Sequence, residues 1–265
     1  MKKCKMLLLL FLAPLVLSAQ IDTLQLNRAF IKKGWDDTKT LFTAPAHWDG
    51  RDWATFGVVT ASVAALFLVD EPVQEAFQDW NENAGTSGER ISANFLEPWG
   101  AEYSLAVMGG LMGYGLLANN RKSQSTALLA GESFVLASLV LQIPKRLIGR
   151  ARPNAADDPF QLNGPFQGSA LPSGHTTAVF AVASVIANQY SHTPTVPIIA
   201  YSIATAAGLS RIYDNRHWLS DIVGGAALGI AVGNLVSSKH NNARRIVIVP
   251  FSSGKMQGLR LAYTL

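Results

Sequence analysis

Residues 210–221 read Ser-Arg-Ile-Tyr-Asp-Asn-Arg-His-Trp-Leu-Ser-Asp, a polar dozen between two apolar stretches of helical length, about 194–209 and 222–237. The flanking stretches argue for helices, and the dozen between them marks where two helices meet. His217 and Asp221 stand four apart, so on one helical turn the carboxylate reaches a ring nitrogen of the imidazole. That contact orients the ring and fixes its tautomer, which leaves the other nitrogen free to attack phosphorus. Arg211 adds a cation just before the turn. Taken alone, the same spacing also describes an ordinary exposed His–Asp helix pair.

Two further polar blocks precede it. Lys145–Pro153 reads Lys-Arg-Leu-Ile-Gly-Arg-Ala-Arg-Pro. Lys145 and Arg152 are seven apart and would share a helix face. Pro153 disfavours helix at Arg152 and so places it at the helix end. Two cations there can clamp phosphate oxygens, arginine through two parallel hydrogen bonds. Arg146 and Arg150 read as ordinary charges at a basic helix end. In Pro172-Ser173-Gly174-His175, Ser173 is a good N-cap for the helix that follows. Gly174 lets the backbone approach a ligand, and the free N–H groups make an anion site. His175 would sit beside a bound anion, which favours the protonated form and suits a general acid.

Working outward, six charge-poor stretches appear, near 54–69, 104–119, 125–143, 176–190, 194–209 and 222–237, with frequent small residues. Each falls slightly short of the roughly 20 residues that span hydrocarbon. Glu132 alone carries charge inside one of them, and reads as a snorkelling or paired residue. Charged residues are 15% of the 265-residue chain, well under the roughly 25% of soluble domains. That deficit suggests a buried helical core or a membrane protein. The net charge of +4 is too small and too scattered for nucleic-acid binding. Residues 71–100 are acidic and loop-like, and with residues 154–171 they are where specificity would lie.

The N-terminus reads as a secretory signal: Lys2, Lys3 and Lys5, an apolar Met6–Leu17, and Ser18-Ala19 before the cut. Cys4 precedes that run, so a mature chain would hold no cysteine for disulfides or thiolate ligands. Arg121, Lys122, Lys239, Arg244 and Arg245 mark the inside of a membrane, and acidic 71–100 the outside. Six spans with both motif loops outside require residue 52 inside, whereas a cleaved signal leaves residue 20 outside. Either some stretches do not cross, or Met6–Leu17 is not an ordinary signal. Residues 246–251 and 259–265, the second with clean alternation, flank Ser252-Ser253-Gly254 and predict a β-hairpin. The expected division is a signal peptide at 1–19, a surface segment of short helices at 20–52, a helical domain at 53–240 and a hairpin appendage at 241–265.

The series K-x6-RP, PSGH and SR-x5-H-x3-D resembles the signature of the type 2 phosphatidic acid phosphatase superfamily at every specified position, over roughly residues 100–237. The resemblance implies an all-α bundle of about six core helices, membrane-associated. It implies His217 as nucleophile forming a phosphohistidine, Asp221 as the residue that orients it, and His175 as general acid. Lys145, Arg152 and Arg211 become phosphate ligands, with Ser173 and Gly174 bonding phosphate through side chain and backbone. It implies no metal or cofactor. The expected activity is hydrolysis of a phosphate monoester or diphosphate on a lipid: phosphatidic acid, phosphatidylglycerol phosphate, a polyprenyl diphosphate or lipid A. The expected location is the cell envelope, with the site on the periplasmic side. A periplasmic acid phosphatase for soluble substrates is the alternative, and a vanadium haloperoxidase the remote one. Asp214 and Arg216 read as rim charges in a solvated turn. His47, His192 and His240 match no block and read as surface residues.

Overall fold

The computed structural model describes residues 26–240, 246–253 and 256–263. The helices are α1 (Arg28–Thr43), α2 (Gly50–Ile91), α3 (Glu102–Leu117), α4 (Arg121–Val140), α5 (Gln142–Ile148), α6 (Gly174–Gln189), α7 (Thr195–Tyr213) and α8 (Leu219–His240). All six apolar stretches are therefore helical. The expected signal at 1–19 lies outside the described residues.

Polar side chains start these helices. Asn27 caps α1, Asp49 and Asp52 form a reciprocal capping box on α2, and Asn120 caps α4. Arg121 and Lys122 open α4 directly after the tight connection from α3, rather than lying in the turn itself.

The bundle closes around α6, which packs on α4, α7 and α8. Small residues on α8 permit that approach. A Cβ on Gly225 would fall 2.7 Å from the Ser173 carbonyl, and one on Gly233 would fall 2.6 Å from Cβ of Ser184. Gly229, between them, faces the Thr177 carbonyl and the Ala181 amide. The apolar core beyond this seam joins Leu129, Leu136, Val182, Val185, Val232 and Val236. Glu132 turns its carboxylate toward Gly34 of α1.

Among the described residues, four segments are long and apolar enough to cross a membrane by length and composition: Gly50–Gly100, Arg121–Ile148, Thr195–Tyr213 and Leu219–Ser238. The apolar half of α2 is exposed, with Val58 at 67% and Leu68 at 75%, as a lipid-facing surface would be. Helices α3 and α6 have 16 residues each, or about 24 Å, short of a hydrocarbon core of about 30 Å. Six full spans are thus not what length supports; four are.

Two expectations need correction. Residues 71–91 continue α2 as helix, bent at Gly85 (φ 55°), where a loop was expected. Pro72 sits inside that helix without ending it. At the C-terminus, β1 (Ile246–Ser253) and β2 (Met256–Tyr263) pair antiparallel with each other alone. The hairpin stands outside the helical domain and is not supported as an element of its fold.

Candidate active site

The first block departs from a continuous helix. α5 ends at Ile148, and Gly149 turns left-handed at φ 60°, against the carbonyl of Gly164, where a Cβ would collide. The chain then runs extended. The Ala151 amide donates to the Gln161 carbonyl at 3.0 Å, and the Ala170 amide to the Arg150 carbonyl at 3.1 Å. Lys145 and Arg152 consequently do not share a helix face. Arg152, half-buried, reaches the site from the loop, and its buried Nε has no hydrogen-bond partner among the described residues.

The second block docks on the third. The Ser173 amide donates to the Asp221 carbonyl at 3.0 Å. Ser173 is the N-cap of α6; its hydroxyl accepts from the Thr176 amide at 3.5 Å and from the Thr176 hydroxyl at 3.0 Å. The Lys145 ammonium lies 3.6 Å from where a Cβ on Gly174 would stand, so a cation hangs over the open start of α6. His175 packs its ring on Gly100, a position with no room for a side chain.

The third block is a turn between α7 and α8. The amides of Arg216 and His217 both donate to the Arg211 carbonyl, at 2.9 and 3.2 Å. The polar end of α2 braces this turn. Gln74 donates to Oδ1 of Asn215 at 2.5 Å, Gln78 to the Ile212 carbonyl at 3.1 Å, and Asn81 to the Tyr213 carbonyl at 3.1 Å. His217 is buried, with Nδ1 3.4 Å from Oδ2 of Asp221. That exceeds the usual hydrogen-bond range of about 2.7–3.2 Å. Oδ2 is held instead by the Trp218 amide at 2.9 Å. The approach still assigns Nδ1 to the carboxylate and leaves Nε2 as the other nitrogen.

The structure therefore brings Lys145, Arg152, Ser173, Gly174, His175, Arg211, His217 and Asp221 to one end of the bundle. Burial lowers the pKa of His217, the Asp221 carboxylate opposes this, and Lys145 and Arg152 add to the lowering. Burial likewise lowers the pKa of His175, helped by Arg211 and opposed by Glu97 and Glu102. Burial also lowers that of Arg152, with Arg216 and Arg211 contributing and Asp221 opposing. The site is cationic before any anion arrives. With no anion bound, His175 leans toward its neutral form, and a phosphate beside it would reverse that tendency.

Arg211 is already engaged. It donates to Glu97 at 2.8 Å and forms an ion pair with Asp214. Asp214 also accepts from the Ser92 hydroxyl at 2.7 Å. It is thus a partner of Arg211, not the solvated rim charge expected. His47 and His192 are exposed, as expected; nothing is described for the His240 side chain.

Sequence reasoning missed Arg150, Asp70 and Glu97. Arg150 is fully buried, 2.8 Å from Asp221 and 2.7 Å from Asp70. It looked like one more charge at a basic helix end. Asp70 had one available signal: it is the first acid after an uninterrupted apolar run. Glu97 had none, lying within an acidic stretch.

Helices of membrane-crossing length, with a cluster of cations and two histidines at one end of the bundle, define a membrane-associated helical protein. A family model described as the PAP2 superfamily matches residues 126–245. Lipid A 1-phosphatase of Rhizobium etli is 32% identical over 198 residues, covering 70% of this chain and 82% of that protein. The chain belongs to the PAP2 superfamily. Lipid A 1-phosphatase of Porphyromonas gingivalis is 46% identical over 68 residues, 25% of this chain but 15% of that longer protein. These relatives are, by name, phosphoric ester hydrolases. The crystal structure of LpxE from Aquifex aeolicus aligns at 21% identity over 61% of this chain and 92% of that one, with a TM-score of 0.46. That likeness is too loose to bear on the site.

Proposed function

We propose that this protein is a metal-independent phosphatase acting on a phosphorylated membrane lipid, with a 1-phosphorylated lipid A as the preferred substrate. The observation that carries the reading is the facing of two sets of groups. His217, backed by Asp221, stands opposite Lys145, Arg152, Arg211 and the open N-terminus of α6. Membrane-length helices and lipid phosphatase relatives support a lipid substrate.

Each residue has a task in this reading. Lys145, Arg152 and Arg211 hold the non-bridging oxygens and stabilise their charge as the phosphoryl group transfers. The amides at Gly174 and His175 add the helix-start dipole. Nε2 of His217 attacks phosphorus and the bond to the lipid oxygen breaks. Protonated His175 donates its proton to that departing oxygen. A water then attacks the phosphohistidine; neutral His175 takes its proton, inorganic phosphate leaves and His217 is restored. Arg121 and Lys122 open α4 at the end away from the site, and the positive-inside tendency supports a site on the outer face of the membrane.

The test is phosphate release by purified protein in EDTA. The substrates are 1-phosphorylated lipid A, phosphatidic acid, a polyprenyl diphosphate and p-nitrophenyl phosphate, with His217→Ala as control. Release that is fastest from lipid A and lost in the variant supports the proposal. Preference for p-nitrophenyl phosphate favours the soluble-substrate alternative, and release that requires metal refutes the mechanism.

A further inference from the structure

The family blocks leave two buried charges unused, and both sit behind His217. The Arg150 guanidinium donates from Nη1 to Oδ1 of Asp221 at 2.8 Å and to the Ser220 hydroxyl at 2.5 Å. Nη2 donates to Oδ2 of Asp70 at 2.7 Å, and Nε to the Pro159 carbonyl at 2.9 Å. Asp70, on α2, accepts from the Ser220 amide at 2.8 Å and the Ser220 hydroxyl at 2.5 Å. Arg150, Asp70 and Asp221 are all fully buried. Phe67 closes one side of the guanidinium, its ring centre 3.8 Å away.

Burying a charge without water is costly unless it is paired and fully hydrogen-bonded. One carboxylate would neutralise Arg150. The chain supplies two, so the buried group carries one surplus negative charge. The groups that face His217 explain why a surplus is useful. Lys145 from α5 and Arg152 from the loop after it are cationic. Asp221 from α8 is the one carboxylate beside the ring, and Arg150 draws on that same carboxylate. All these cations oppose positive charge on the imidazole, yet attack on phosphorus places positive charge there.

Building on the reading of His217 as nucleophile, we infer that Arg150 and Asp70 are positioning residues for its reaction. Arg150 fixes the Asp221 carboxylate against the ring. Asp70 offsets Arg150, so that Asp221 keeps its charge available to the imidazole as it takes up phosphate. Asp70 lies before the segment matched to the family, so α2 completes a site whose reacting residues lie elsewhere in the chain.

The experiment is the pH dependence of kcat/KM for full-length Asp70→Asn in detergent, with the best substrate of the panel above. Removing a negative charge behind His217 lowers its proton affinity. The acid limb therefore moves to lower pH by about half a unit to one unit. kcat is expected to fall at least tenfold while KM changes less than threefold. An unmoved acid limb, with a loss confined to thermal stability, overturns the inference and gives Asp70 a structural role only. Should Asp70→Asn fail to fold, Asp70→Glu decides: it keeps the charge, so the wild-type acid limb with reduced kcat supports the inference, and a displaced limb overturns it. Wild-type activity that survives His217→Ala overturns the proposed function, and this inference with it.

Discussion

The guanidinium of Arg211 and the carboxylate of Glu97 form an ion pair of 2.8 Å across 114 residues of sequence. Glu97 comes from the short 3-10 helix Glu97–Gly100, whose last residue is the surface on which His175 packs. An arginine assigned to phosphate thus holds carboxylates when the site is empty. A phosphate must displace Glu97 or share the guanidinium with it. Glu97 is 44% exposed while Arg211 is buried, so solvent screens the pair from the Glu97 side.

Replacing Glu97 by Gln removes that competitor. The inhibition constant of inorganic phosphate as a product is expected to tighten by up to about fivefold, in line with the roughly 0.2–1 kcal/mol of exposed pairs. Competitive inhibition at fixed ionic strength measures it. Weaker phosphate binding in Glu97→Gln would show that the carboxylate orients Arg211 and does not compete.

The histidines set the pH profile. In the proposed mechanism His217 must be neutral to attack and His175 protonated to donate. The free-site pKa values of both are pushed below the ordinary histidine value, chiefly by burial. A lowered His217 pKa moves the acid limb of kcat/KM down. A lowered His175 pKa brings the alkaline limb down as well. The optimum of kcat/KM is therefore expected below about pH 6.5. Bound phosphate raises the proton affinity of His175, so the alkaline limb of kcat should lie above that of kcat/KM. An alkaline optimum in both parameters would contradict these roles.

The helix seam makes a separate prediction about stability. Gly229 faces backbone atoms of α6 that cannot swing aside. Gly229→Val should force α8 away from α6 and cost about 1–3 kcal/mol, as overpacking does. Thermal unfolding in detergent measures the loss. Gly109→Val on α3 is the control, because a Cβ there meets nothing within 4 Å.

The six apolar stretches were legible as helices because, Glu132 apart, they keep charge out over several turns. The block residues were legible because their chemistry depends on spacing within short segments. What stayed hidden depends on contacts between segments far apart. Arg150 sits five residues after Lys145, and only the turn at Gly149 sends it inward toward Asp70. The acidic half of α2 looked like a loop because its polar residues serve another purpose. Gln74, Gln78 and Asn81 hold the turn that carries His217, a task invisible without the fold. Asp214 looked like a solvated charge because its partners, Arg211 and Ser92, come together only when α2 lies beside α7.

The central claim is that His217 carries the phosphoryl group. The most direct measurement is to mix the protein with substrate labelled in the transferred phosphate, quench within one turnover and analyse the protein. The account predicts a label that is stable in base, lost in acid, and absent in His217→Ala. A protein that releases phosphate without such a label, or retains the label when His217 is replaced, would contradict it.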